Sequence, residues 1–275
     1  MNQPKTFLGM DRYGGGMYGD FPYVYTPQYP QSRDLPIAKW WNTYIKVMYI
    51  IARTIQVNDV QTLRAVHTFF VTLFKLIPNS AARQYLVDFW QMKPYILDIL
   101  KSTSPQLFIT YPSLERYLKN NLQEFQDLSM KNMDGQSLLL FVYLVNVLFK
   151  GIMPEVDINL PTLSDIRAQY QPDKITKYEW GNAIWFVLHT SSLYAPEPIA
   201  ESFVLFKNML YSLQFLLPCP KCRIHLSQNL QYINMDTCPV NREELFKCTW
   251  QLHNIVNQSD DKPQIGLQEA YSIYT

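Results

Sequence analysis

Cysteine, glycine and net charge are all scarce in this chain, and each shortage removes a class of protein. There are four cysteines in 275 residues, Cys219, Cys222, Cys238 and Cys248, all in the last quarter. A secreted disulfide scaffold would spread more of them through a shorter chain, so the pattern points to a local redox or metal site. Of the nine glycines, five precede residue 20. This one cluster lies in an N-terminal arm that can hold neither strand nor helix around it, so a Rossmann-type dinucleotide site is not expected. The net charge of +1, with acids and bases interspersed and no basic block, argues against nucleic acid as a partner. Long apolar runs are missing too. The best candidate, Ser137 to Ile152, is broken by Asn146 and Lys150 and is too short to span a bilayer, so it reads as a buried core helix. The first residues carry no basic segment followed by an apolar run, and an intracellular location is therefore expected.

What the chain has in abundance is apolar and aromatic residues, at 48% and 15%, which suits a well-buried globular protein. Residues 1–34 form an arm of Gly, Tyr and Pro that can hold neither helix nor alternating strand. From Leu35 onward apolar residues recur at spacings of three and four, predicting helices over 36–56, 59–77, 80–101, 112–128 and 135–151. After a linker come further helices over about 176–194, 198–216, 219–231, 241–257 and 264–272. No strand pattern intervenes, so the fold class is all-α. The division expected is an arm (1–34), an N-terminal helical domain (35–152), a linker (153–169) and a second helical bundle (170–275). Sliding the chain by 140 residues sets Trp40 on Trp180, Asn42 on Asn182 and Pro78 on Pro218. Asn79, Ala82 and Tyr85 then stand where the later copy has Cys219, Cys222 and His225, which fits either a chance likeness of two helix–Pro–helix corners or a degenerate duplicate that has lost its chemistry.

The strongest local signal is Pro218-Cys219-Pro220-Lys221-Cys222 at a predicted helix start. Two cysteines three apart on a first turn can close a reducible disulfide, and the free amides and dipole there stabilise a thiolate. Zinc sites also use this spacing, and Cys219, Cys222, His225 and His253 could supply four ligands to staple a non-catalytic interaction module. Two flanking segments weigh against that alternative. Upstream, Trp180-Gly181 leads to Trp185 and His189, which are four apart on one face. Downstream, Trp250, His253, Asn254 and Asn257 recur at three and four, followed by Lys262-Pro263. Singly these residues suit a core or a helix cap. Jointly they describe an aromatic, polar pocket for a planar heteroaromatic ligand.

With WG…W..LH, PCxxC and W..HN.VN followed by KP, residues 178–265 resemble the Erv/ALR flavin-linked sulfhydryl oxidases. The fragment CPKCRIHL and the long helical extension look most like the baculovirus-type enzymes of large insect DNA viruses. The resemblance implies a helical bundle that holds FAD without a Rossmann fold, and a thiol oxidase that forms disulfides in protein dithiols and passes electrons to FAD and then O2, giving H2O2. The alternative is a relative that keeps the bundle as a non-catalytic, flavin-free interaction module. It implies Cys222 as the flavin-proximal cysteine and Cys219 as the one that meets substrate. Trp180, Gly181, Trp185, His189, His225, Trp250, His253, Asn254, Asn257 and Lys262 match the positions that hold FAD. Because relatives pair two bundles, a homodimer is also implied, alongside intrachain pairing of the two copies. The chain departs from the family in two respects. The arm has no cysteine to act as a shuttle disulfide, and Cys248 stands where many relatives have a second Trp. Cys238 and Cys248 are spaced unlike the structural pair of cellular relatives, which leaves their pairing open.

Overall fold

The computed structural model describes residues 34–55, 59–91, 135–152, 161–233 and 235–275. The glycine-rich arm, the helix expected over 112–128, the end of that expected over 80–101 and the first part of the linker lie outside these residues. Among the described residues there are ten α-helices, one 3-10 turn and no strand. They are α1 (Ile37–Thr54), α2 (Val60–Lys75), α3 (Ser80–Gln91), α4 (Gly135–Ile152), α5 (Leu163–Gln169), α6 (Lys177–Leu193), α7 (Ile199–Leu216), α8 (Pro220–Tyr232), α9 (Arg242–Ser259) and α10 (Leu267–Tyr274). No described helix is long and apolar enough to cross a membrane.

Short polar residues set where several helices begin. Asp59 accepts the Thr62 N–H at 2.6 Å to open α2, and Asn241 accepts the Glu244 N–H at 2.9 Å to open α9. Reciprocal capping boxes, Thr162 with Asp165 and Thr176 with Glu179, open α5 and α6. The first of these makes a helix of residues 163–169, which the sequence reading assigned to the linker. Its cap is a local signal that outweighs the flanking prolines.

Helix α6 is covered from several sides. It packs against α1, α9, α10 and α7, and even its polar residues His189, Thr190, Ser191 and Ser192 are wholly buried. Their polar atoms must therefore find partners inside the protein. Ser192 Oγ donates to the His189 carbonyl, and the Tyr44 hydroxyl, reaching in from α1, lies 2.9 Å from both Thr190 Oγ1 and Ser191 Oγ. Burial pushes the Tyr44 phenol well above its ordinary range, so it stays a neutral hydrogen-bonding group. On its other side α1 packs against α4, where the Trp41 and Phe149 rings stack at 3.7 Å. There the buried Asn146 accepts from Trp41 Nε1 and donates to the Tyr49 hydroxyl.

The helices repeat at the spacing noted in the sequence. Helices α1 and α6 begin 140 residues apart, as do α3 and α8. At the start of α3, Asn79 Oδ1 accepts the Ala82 N–H at 3.0 Å, as Cys219 Sγ accepts the Cys222 N–H at 3.2 Å at the start of α8. Arg83 Nη1 donates to the Ile77 carbonyl at 2.7 Å, and Arg223 Nε to the Leu217 carbonyl at 2.6 Å. Corresponding helices also lie against each other, α1 on α6 and α2 on α7, the latter being the most extensive contact between any two of the described helices.

The Tyr44 hydroxyl is thus a polar tie between α1 and α6. Tyr44→Phe should leave Ser191 Oγ without its partner and cost about 1–2 kcal/mol. That corresponds to a fall of about 3–6 °C in melting temperature for a chain of this size. An unchanged melting curve would show that the tie adds nothing to stability.

Candidate active site

Pro218 and Pro220 bracket Cys219 so that α7 ends and α8 starts within a few residues. Cys219 is the N-cap of α8, with Pro220 in the first helical position, where its missing N–H costs nothing. Cys219 and Cys222 form a disulfide. The first turn of α8 therefore holds both sulfurs beside free backbone amides, the setting that favours a thiolate once the bond opens.

Cys222, but not Cys219, lines a cavity of about 570 Å3. This lies within the range of roughly 300–1,000 Å3 usual for small-molecule and cofactor sites. All of its walls come from residues between Lys177 and Tyr274. Trp180, Gly181 and Trp185 contribute from α6, His225 from α8, and His253 and Asn257 from α9. A Cβ added at Gly181 would meet no atom within 4 Å, so this wall of the cavity is open down to the helix backbone. Behind it, the Trp185 ring stacks on His253 at 4.0 Å and 10° between planes.

His189 does not reach the cavity. It sits one layer deeper, fully buried, with Nε2 3.0 Å from His253 Nδ1 and its ring stacked on Tyr274 at 4.2 Å. Trp250 and Asn254 also stand outside the lining. Trp250 Nε1 donates to the Ile265 carbonyl at 2.6 Å, while Asn254 donates to that carbonyl and accepts the Ile265 N–H, both at 2.9 Å. These bonds pin the segment after α9, which carries Lys262, Pro263 and Ile265 into the cavity wall. That segment leaves α9 through Asp261, whose φ of 55° lies in the left-handed region that Asp tolerates better than most residues. The expected site residues therefore converge in two layers, one facing the cavity and one supporting it.

Several lining residues were not singled out in the sequence, among them four with polar or charged groups. Asn229 lies one turn beyond His225 on α8, Tyr274 belongs to the last helix, and Lys177 and Asp260 meet at the cavity mouth. Lys177 Nζ lies 2.7 and 2.8 Å from the two Asp260 oxygens, and Lys262 Nζ is 3.5 Å from one of them. The spacing of Asn229 seven residues after Cys222 was readable as the same helix face. For Lys177 and Asp260, 83 residues apart, no local signal existed.

Cys238, just after the 3-10 turn Met235–Thr237, forms a disulfide with Cys248 on α9. The zinc alternative loses its two thiolates to the Cys219–Cys222 bond, and no group of three or more candidate ligands converges among the described residues.

Burial keeps both inner histidines neutral. The His189 pKa is driven well below its ordinary value by desolvation and then by His253, and that of His253 falls to about 4 through desolvation and the nearby Lys262 charge. The unfolded chain takes up these protons near pH 6.5, whereas the folded chain refuses them until much lower pH. Stability is therefore full above about pH 6.5 and declines as the pH falls toward 4. Each withheld proton costs about 1.4 kcal/mol per pH unit. Urea unfolding should show this decline already between pH 6.5 and 5, above the range where ordinary carboxylates titrate. A flat profile there would contradict it.

Residues 182–274 match the Erv1 / Alr family. A protein of Invertebrate iridescent virus 3 named as a FAD-linked sulfhydryl oxidase is 30% identical over 96 residues, which are 34% of this chain and 65% of that protein. One of Acanthamoeba polyphaga mimivirus, similarly named, is 33% identical over 94 residues, 34% of this chain and 66% of its own. One of Frog virus 3 is 26% identical over 101 residues, again 34% of this chain and 65% of the relative. The chain thus spans about 65% of the length of the curated relatives it matches. No solved structure matches the chain at a significant level. With the CxxC at a helix start, the paired histidines and the pinned segment all falling inside the matched region, residues 182–274 form a domain of the Erv1 / Alr family.

Proposed function

We propose that residues 170–275 are a thiol oxidase that binds FAD in the cavity beside Cys222 and forms disulfides in protein dithiols. The observation that carries this reading is the asymmetry of the cysteine pair: Cys222 lines the cavity and Cys219 does not. One sulfur is thereby available to a bound ligand and the other to an incoming substrate. The names of the viral relatives support the same reading.

A substrate thiolate attacks Sγ of Cys219, forming a mixed disulfide and releasing Cys222 as a thiolate. A second substrate thiol gives up its proton and displaces Cys219, so the substrate leaves as a disulfide and the enzyme pair holds the two electrons. The chemistry FAD supplies when bound is acceptance of that electron pair and its transfer to O2, with formation of H2O2. The cavity suits such a ligand. Trp180 and Trp185 offer aromatic surface, Asn257 and His253 offer polar atoms, and Lys177 and Lys262 are cations available to a pyrophosphate. His189, Trp250 and Asn254 act through the residues and the segment they hold.

The N-terminal helices 35–152 are, in this reading, a degenerate copy of the same bundle. The matched caps at Asn79 and Cys219 and the like-on-like packing of α1 with α6 and α2 with α7 support it. Like-on-like packing is the pattern of an isologous interface, here formed within one chain. Asn79 and Ala82 cannot exchange electrons, so one FAD per chain is proposed, and a homodimer of whole chains remains compatible with this pairing. The same reading keeps the baculovirus-type placement, an intracellular site of action and a substrate that reaches Cys219 without a shuttle cysteine.

The purified full chain should be yellow and should oxidise a protein dithiol with uptake of O2. Cys219→Ser and Cys222→Ser should each abolish turnover while keeping the flavin. Cys219→Ser should reveal a thiolate-to-flavin charge-transfer band, and Cys222→Ser should lack it. A colourless protein, or the reverse spectral pattern, would overturn the assignment.

Gly181 separates the needs of the fold from those of the ligand. Replacing a helical glycine with alanine favours the helix by up to about 1 kcal/mol. Flavin-stripped Gly181→Ala should therefore melt at or above the wild-type temperature, since its methyl meets nothing. Gly181→Leu should fold equally well yet retain much less flavin through purification. Full flavin content in that variant would place the ligand elsewhere.

A further inference from the structure

His189 Nδ1 is buried and has no hydrogen-bond partner among the described residues. Its Nε2 is 3.0 Å from His253 Nδ1, and a neutral imidazole carries a single N–H. Two arrangements are possible. If the His189 proton sat on Nδ1, a buried N–H would be left without an acceptor, a situation proteins avoid more strictly than an unused lone pair. If it sits on Nε2, that N–H donates to His253 Nδ1 and only a lone pair is left over. The second arrangement forces the His253 proton onto Nε2, at the opposite edge of the ring. That atom has no protein partner among the described residues, and His253 lines the cavity. Stacking on Trp185 at 4.0 Å and of His189 on Tyr274 at 4.2 Å restricts either ring from flipping to exchange its nitrogens.

We propose that His189 is a positioning residue whose Nε2–H holds His253 in the Nε2–H tautomer, fixing a hydrogen-bond donor in the cavity wall for an acceptor atom of the ligand. Both rings stay neutral under ordinary conditions, so the donor is uncharged and selects an acceptor oxygen or nitrogen, not an anion specifically. The ligand part of this inference rests on the flavin reading above, whereas the tautomer part does not.

Long-range 1H–15N imidazole spectra of the full chain, assigned with His189 and His253 variants, report the tautomer directly. His253 should show the Nε2–H pattern in the wild-type chain. His189→Phe keeps a ring against Tyr274 but removes the donor, and should shift His253 toward a mixture of tautomers. Its Kd for FAD, measured by reconstitution of the stripped full chain, should rise about tenfold, the worth of one hydrogen bond. His189→Gln carries an amide N–H near the position of Nε2 and should restore most of both signals. Should His189→Phe fail to fold, the wild-type spectrum still decides: an Nδ1–H pattern on His253 overturns the proposal. So does a His189→Phe chain with an unchanged tautomer and unchanged Kd. A wild-type chain with the Nε2–H pattern that takes up no FAD would overturn the flavin reading and leave the positioning role standing.

Discussion

His189 and His253 come from two different helices, meet at 3.0 Å, and are closed in by Trp185 on one side and Tyr274 on the other. A pair of basic rings so close and so buried cannot hold a charge, since each proton would have to leave water and face its neighbour. The contact is therefore one neutral hydrogen bond between stacked rings. It ties α6, α9 and α10 to one another at a single point. The cavity opens on the outer side of that point. Of the contact's two partners, His253 stands in the cavity wall and His189 behind it.

The same two-layer logic governs the rest of the site. Trp250 and Asn254 spend their polar atoms on Ile265, so the segment after α9 is held by three hydrogen bonds to one residue. Lys262 and Pro263 are carried with it. At the mouth, Asp260 is bracketed by Lys177 and Lys262, which draws together cations from the start of α6 and the end of α9. Opposite them, the capped start of α8 holds the disulfide so that one sulfur meets the cavity. Preorganisation of this kind means that a ligand need not order the wall on arrival.

The burial of α6 explains why a helix that carries so much polarity is nonetheless central. Thr190, Ser191 and Ser192 follow His189 in succession, and on an exposed helix they would simply face water. Here each must be answered from within, by the backbone of α6 or by Tyr44 from α1. Helix α1 is thus more than an apolar cover for the site. It satisfies the far side of the helix whose near side forms the cavity.

Much of this was open to a reading of the chain alone. Apolar spacing and prolines located most of the helices to within a few residues, because periodicity and breakers act locally. The CxxC, the WG…W..LH run and the HN.VN run were legible for the same reason: each places its residues on one helix face within a few turns. Helix α5 escaped because the prolines on either side read as a linker, although both lie outside the short stretch that the Thr162–Asp165 capping box opens. What the chain could not reveal is which of these residues face the cavity and which stand behind. His189 and His253 look alike in sequence, yet one is in the wall and the other beneath it, a distinction set by how α6 and α9 cross. Lys177 with Asp260, Cys238 with Cys248, and Tyr274 against His189 are likewise products of tertiary packing. Local chemistry is written in spacing, whereas depth, pairing and protonation depend on what a residue is packed against, and only the folded chain determines that.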